Sequence, residues 1–176
     1  MRIVSSALAV CLAMPSGLIA QQAASPVADA FRSSFQEQQR NLVEAAEQMP
    51  ADKYGFKPTP AQMSFGKVVS HLISGNAFLC AVIGGKERPN WPEVPETASK
   101  DSLVARLRAS FEFCGTALAG LDDSKLGEMV PWFGDKPVSR AYAMFVTVDD
   151  WGDHYSQSAI YMRLNGLLPP TARRND

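Results

Sequence analysis

The stretch SPVADAFRSSFQEQQRNLVEAAEQM, residues 25–49, decides the fold. Phe31, Phe35, Gln38, Leu42, Ala45 and Met49 recur in it at alternating intervals of four and three. That is the seam of an amphipathic helix packed in a bundle. Ser25 stands where a helix is N-capped, and Pro26 suits the first helical position, so the helix is expected over 26–48. Gln38 is the one polar member of the seam. It is either a core amide with partners or a residue near a site.

Three further segments read the same way. After a connector over 50–58, Thr59 and Gln62 have the capping-box spacing and predict a short turn. Ser64 then caps a second helix over 65–83, which Gly84 and Gly85 end. Its apolar positions are Phe65, Val68, Val69, Leu72, Phe78, Leu79, Val82 and Ile83, with His71, Gly75 and Phe78 along one edge. A proline-rich loop over 86–100 contains Trp91. A third helix follows, capped by Ser99 or Asp101, with Val104, Leu107, Phe111, Cys114, Leu118 and Leu121 as its seam. An irregular stretch over 122–138 contains Trp132. Ser139 caps a fourth helix that runs to about 164, where Asn165-Gly166 ends it and Pro169-Pro170 prevents continuation. No segment has the period-two pattern of a strand.

Four long amphipathic helices predict an all-α, four-helix bundle. The connector between helices 2 and 3 is long enough to run back along the bundle, so these two helices are expected to be parallel. The cysteines agree with this. Counted from the helix starts, Cys80 and Cys114 lie at heights within roughly 5 Å of each other in a parallel pair, at 1.5 Å per residue. They form either a disulfide or two small buried thiols.

Composition sets the outer bounds. The chain has 176 residues, 46% hydrophobic and 20% charged, with a formal net charge of −1. This suits one packed domain and excludes a disordered chain. The near-neutral charge gives no support for nucleic-acid binding, which relies on a basic footprint. Residues 1–20 have the form of a secretory signal peptide: Arg2, a short apolar run, a Pro15-Ser16-Gly17 break, and Ala20 before Gln21-Gln22. Cleavage is expected after Ala20, with Ala23 or Ala24 as alternatives. The run is shorter than the ~20 residues a bilayer span needs, so no stable membrane insertion is expected after cleavage. The domain then occupies 21–176 in a secreted or periplasmic protein. Two cysteines remain there, an even number in an oxidising compartment.

The chain has two histidines, His71 and His154. Asp150 precedes His154 by one helical turn, so the two share a face. With His71 from another helix they would make a facial set of three donors. Two imidazoles and a carboxylate suit a borderline divalent ion, and three protein ligands leave positions open for water. The bland alternative is an exposed i, i+4 contact beside a core histidine. Gln157 and Tyr161 are placed to support the donors from behind, and Asp149, Asp153 and Glu128 are candidate bases. Trp91 and Trp132, one in each long loop, either line the entrance to such a site or cap the core.

Two motifs carry a resemblance. Residues 153–166, DHYSQSAIYMRLNG, followed by Pro169-Pro170, and residues 62–72, QMSFGKVVSHL, are similar to the last and second helices of the DinB-like family. The similarity runs from about Val27 to Pro170. It implies an up-down-down-up bundle and a divalent metal held by three histidines, one on helix 2 and two spaced four apart on helix 4. His71 and His154 match the first and last of these, and Asp150 stands where the family usually has histidine. The resemblance also implies a metal-dependent enzyme. A hydrolase with an unknown small-molecule substrate is expected, and a thiol transferase is disfavoured by the export signal. The competing expectations are a non-catalytic metal- or ligand-binding bundle and a structural domain whose site has decayed. Zinc is the first expectation for the ion, with nickel or iron as alternatives. The resemblance also makes a homodimer an expectation.

Overall fold

The computed structural model describes residues 25–173. The expected signal peptide lies outside them. Four helices form the body: α1 (Pro26–Gln48), α2 (Phe65–Gly84), α3 (Lys100–Leu118) and α4 (Arg140–Leu164), with a single-turn α5 (Pro170–Arg173) after the last. The connector before α4 carries a two-residue antiparallel pair, β1 (Met129–Val130) and β2 (Val138–Ser139). A pair this short has no periodicity of its own, so the sequence gives no sign of it.

The helix directions follow from the cross-links. Asn76 bonds Ser110, and Cys80 is disulfide-bonded to Cys114. Both links join residues 34 apart, and a constant offset means that α2 and α3 are parallel. Against α4 the order reverses. As the chain advances from Met63 through Asn76 to Ile83, its partners fall back from Tyr161 through Trp151 to Arg140. Helix α1 opposes α3, since Glu47 meets Arg108 while Arg32 reaches the Leu121 carbonyl. The topology is therefore up-down-down-up.

Most of the expected seam is buried. On α1 and at its C-cap, Phe31, Phe35, Leu42, Ala45 and Met49 all lie in the core. Gln38 is only half-buried, and its Oε1 finds no hydrogen-bond partner among the described residues, so it is not a satisfied core amide. Phe35, Phe111 and Trp151 pack against one another at tilted angles at the centre, with centroids 5.6–6.2 Å apart. Fully buried aromatic rings of this size contribute more than any other core groups. Trp151 donates to Asn76 Oδ1 at 2.8 Å, Asn76 donates to Ser110 Oγ at 3.0 Å, and Ser110 donates to the Leu107 carbonyl. This chain of bonds satisfies the polar groups buried where α2, α3 and α4 meet.

Ser64, Ser99 and Ser139 cap α2, α3 and α4 as expected, each accepting from a backbone N–H. Helix α1 differs. Ser25 makes no side-chain cap, and Asp123 reaches over from the connector after α3 to accept from the N–H groups of Val27 and Ala28 at 3.1 and 2.8 Å. The long connector between α2 and α3 runs back along α2, pinned where Ser70 donates to the Val94 carbonyl. Trp91 lies on α3 in this connector, edge-on to Phe113 and beneath the Arg106 guanidinium. It covers the outer face of α2 and α3 and lines no entrance to the histidines.

Candidate metal centre

The α2–α4 contact brings His71, Asp150 and His154 together. The antiparallel register places His71 level with His154, one turn above the Asn76–Trp151 bond. Each imidazole turns Nε2 toward the same oxygen: Asp150 Oδ1 lies 3.4 Å from His154 and 3.9 Å from His71. The two rings meet edge-on at 4.8 Å, and the three donor atoms all lie within 4.8 Å of one another. Donors bound to one ion at about 2.1 Å stand roughly 3.0–3.4 Å apart, so sub-ångström side-chain movements would close the set around a cation.

Burial grades across the triad. The His154 side chain is 6% exposed, Asp150 27% and His71 47%. His154 forms the floor, and the open side faces solvent beside His71. Three protein donors with a free face are what a catalytic ion needs and a structural ion lacks.

The surroundings of His154 fit a ligand role. With Nε2 turned to the donor set, its other nitrogen, Nδ1, is buried and has no hydrogen-bond partner among the described residues. Asp153 Oδ2 stands 4.0 Å away, and Gln157 donates to that same oxygen at 2.6 Å. A small closure would let Nδ1–H donate to Asp153, the arrangement that fixes a ligand imidazole and raises its basicity. Burial opposes protonation of His154, but Asp150, with Asp153 and Gln157 behind it, more than offsets this and raises its pKa above the usual histidine value. A proton and a cation therefore compete for the ring, as at any imidazole site.

Other residues singled out from sequence separate cleanly. Tyr161 does not back the donors: its hydroxyl donates to the Met63 carbonyl, and its ring packs on Phe56 and Phe65. Glu128 is committed to Arg140. Asp149 is exposed on the outer side of α4. Trp132 packs between α2 and α4, against Phe78, Phe133 and Tyr142. Sequence reasoning gave Asn76 no role, although a lone amide in an apolar helix stretch is a visible signal of a buried polar partner.

The sequence matches the DinB superfamily over residues 34–158, a span that includes all three donors. The chain belongs to the DinB superfamily. Its fold is shared with a DinB-like protein from Bacillus cereus, at TM-score 0.66 and 19% identity, over 81% of this chain and 95% of that one. A DinB-like protein from Bacillus subtilis matches at 0.62 and 18%, over 78% and 92%. A conserved protein from Enterococcus faecalis matches at 0.63 and 17%, over 78% and 96%. At these identities the likeness is one of fold. No protein of curated function matches the chain.

Proposed function

We propose that this DinB-superfamily protein binds a divalent metal through His71, Asp150 and His154 and uses it for hydrolysis of a small acyl substrate. The observation that carries the reading is the convergence of Nε2, Nε2 and Oδ1 on one point that is buried beneath and open above. The donor set favours zinc, with nickel and ferrous iron next. When bound, such an ion supplies Lewis acidity and makes water nucleophilic near neutral pH.

The chain's own residues do the rest. His154 and its Asp153–Gln157 support hold the buried side of the site in place. His71, on the open side, is free to adjust as substrate enters. Asp150 divides its oxygens: Oδ1 faces the imidazoles, while Oδ2 lies beside Gly75, 3.8 Å from where a Cβ would stand. In this reading that second oxygen takes a proton from water and returns it to the departing alcohol or amine. The balance is one water consumed and one acyl bond broken, giving an acid and a protonated leaving group.

An exported setting accords with this reading. The N-terminal sequence has the form of a signal peptide, and the Cys80–Cys114 bond suits an oxidising compartment. A low-molecular-weight thiol cosubstrate belongs to reducing compartments, which disfavours thiol transfer.

A second reading is metal binding without catalysis. It is favoured by the commitment of Asp153, the other nearby carboxylate, to Gln157. Elemental analysis of protein purified without chelators or an affinity tag tests the metal: about one ion per chain is expected, lost in both His71→Ala and His154→Ala. No metal in the parent protein would overturn both readings. A screen of esters and amides with and without the ion then separates them, and activity that depends on the ion supports the hydrolase.

A further inference from the structure

The glycines of α2 differ in what they do. A Cβ at Gly66 would stand 2.5 Å from the Glu96 carbonyl oxygen, and one at Gly84 2.3 Å from that of Ala117. Only glycine fits there. A Cβ at Gly75 would meet nothing closer than Asp150 Oδ2 at 3.8 Å, an ordinary contact. Glycine within a helix is destabilising relative to alanine. No close approach of backbone demands it at Gly75, so what it provides is empty space next to Asp150.

The same side of the bundle carries a partly exposed stripe. His71, Gly75, Phe78 and Val82 are all at least partly exposed and form one stripe along α2, at successive helical turns. Tyr142, Val146 and Asp150 face them from α4, likewise partly exposed. At the far end four rings gather. Phe78 stands 4.5 Å from Phe133 and 6.2 Å from Trp132, and Trp132 is 6.2 Å from Tyr142. Phe133 is 63% exposed and Tyr142 53%.

The backbone turns sharply just after Phe133. Gly134 and Asp135, the next two residues, have φ of 70° and 55°, and Asp135 is the sole non-glycine with positive φ among the described residues. Glycine takes this conformation freely and aspartate is among the residues that tolerate it, so the turn that presents Phe133 is made by residues suited to it. Exposed aromatic rings are costly to leave in water, and a contiguous group of them marks a binding surface.

We propose that the groove from the triad across Gly75 to Phe78, Trp132, Phe133 and Tyr142 seats the apolar arm of the substrate. This rests on the metal reading above and narrows it. The substrate is an ester or amide whose acyl group reaches the triad and which carries an aromatic ring or an extended hydrocarbon. Phe78 follows His71 by two helical turns, so the arm extends about 10 Å from the reacting carbon at 1.5 Å per residue. Small polar esters lack the part that the rings hold.

Hydroxamates test this without turnover, because the head chelates the ion and the tail explores the groove. Affinities of acetohydroxamate, phenylbutanohydroxamate and phenylhexanohydroxamate are measured by calorimetry on the zinc-loaded mature chain. Phenylhexanohydroxamate is expected to bind roughly tenfold or more tighter than acetohydroxamate, from apolar burial of the arm. Phe133→Ala should remove most of that ratio, and Gly75→Leu, which fills the groove, should do the same. Phe133 is exposed, so its variant keeps the test independent of whether Gly75→Leu folds. A ratio near one, or one unchanged by Phe133→Ala, overturns the proposal while leaving the metal site intact. A parent protein that takes up no zinc and does not bind acetohydroxamate overturns the metal reading and this one together, and its zinc content alone tells the two failures apart.

Discussion

Helix α2 has two seams, and they are built to opposite ends. Toward α3 it is sealed: Asn76 bonds Ser110, Cys80 is joined to Cys114, and Gly84 lets the Ala117 backbone come within contact. Toward α4 it is closed beneath, where Trp151 donates to Asn76, but its outer lip is left open around His71, Gly75 and Asp150. One helix thus uses one glycine for closeness and another for room. Rigidity on one side holds the backbone from which the other side presents its donors, which is what a functional constellation requires of its scaffold.

The sharpest way to break the sealed seam is to open the disulfide. A bridge closing a loop of 34 residues stabilises by roughly 3–4 kcal/mol in the chain-entropy account. Denaturant titration of Cys80→Ala/Cys114→Ala should show a loss of that order, and metal stoichiometry in the folded double variant should stay near the parent's. A loss of metal with the fold intact would mean that the two seams are not separable.

The open seam responds to metal instead. Zinc at a hundredfold over its dissociation constant should stabilise the parent by about 2.7 kcal/mol through mass action. His154→Ala should show none of this gain in thermal unfolding. A gain that survives the substitution would place the ion elsewhere.

The two glycines supply the next comparison. Gly84→Ala forces the Ala117 carbonyl to move and should cost about 1–3 kcal/mol, as overpacking does. Gly75→Ala meets only an ordinary contact and should stabilise by about 0.5–1 kcal/mol, from helix propensity alone. Opposite signs in one set of unfolding curves would confirm the division of labour. Equal losses would mean that Gly75 also serves packing.

Those two glycines also show where sequence reading stops. The helices and their seams were legible, because burial imposes a 3.6-residue period over many residues. The triad was legible too, since Asp150 and His154 lie one turn apart and only one other histidine exists. Gly75 and Gly84 look alike in the chain; what differs is the neighbour, Asp150 in one case and Ala117 in the other, each distant in sequence. Trp91 and Trp132 were likewise equivalent as loop tryptophans. The route of each loop put one against Arg106 and the other beside Phe78. Tyr161, on the triad's side of α4 by spacing, turned instead to a carbonyl at the start of α2.

The cap on α1 bears on the order in which the molecule assembles. Asp123, which closes the first turn of that helix, follows Ala28 by 95 residues. Among the described helices α1 emerges first during synthesis, yet its leading N–H groups wait for a partner made after α3, and long-range contacts of this kind form late. The first of the described helices to be made is therefore the last to be finished at its leading end, and amide exchange there should report on completion of the whole bundle rather than on α1 alone.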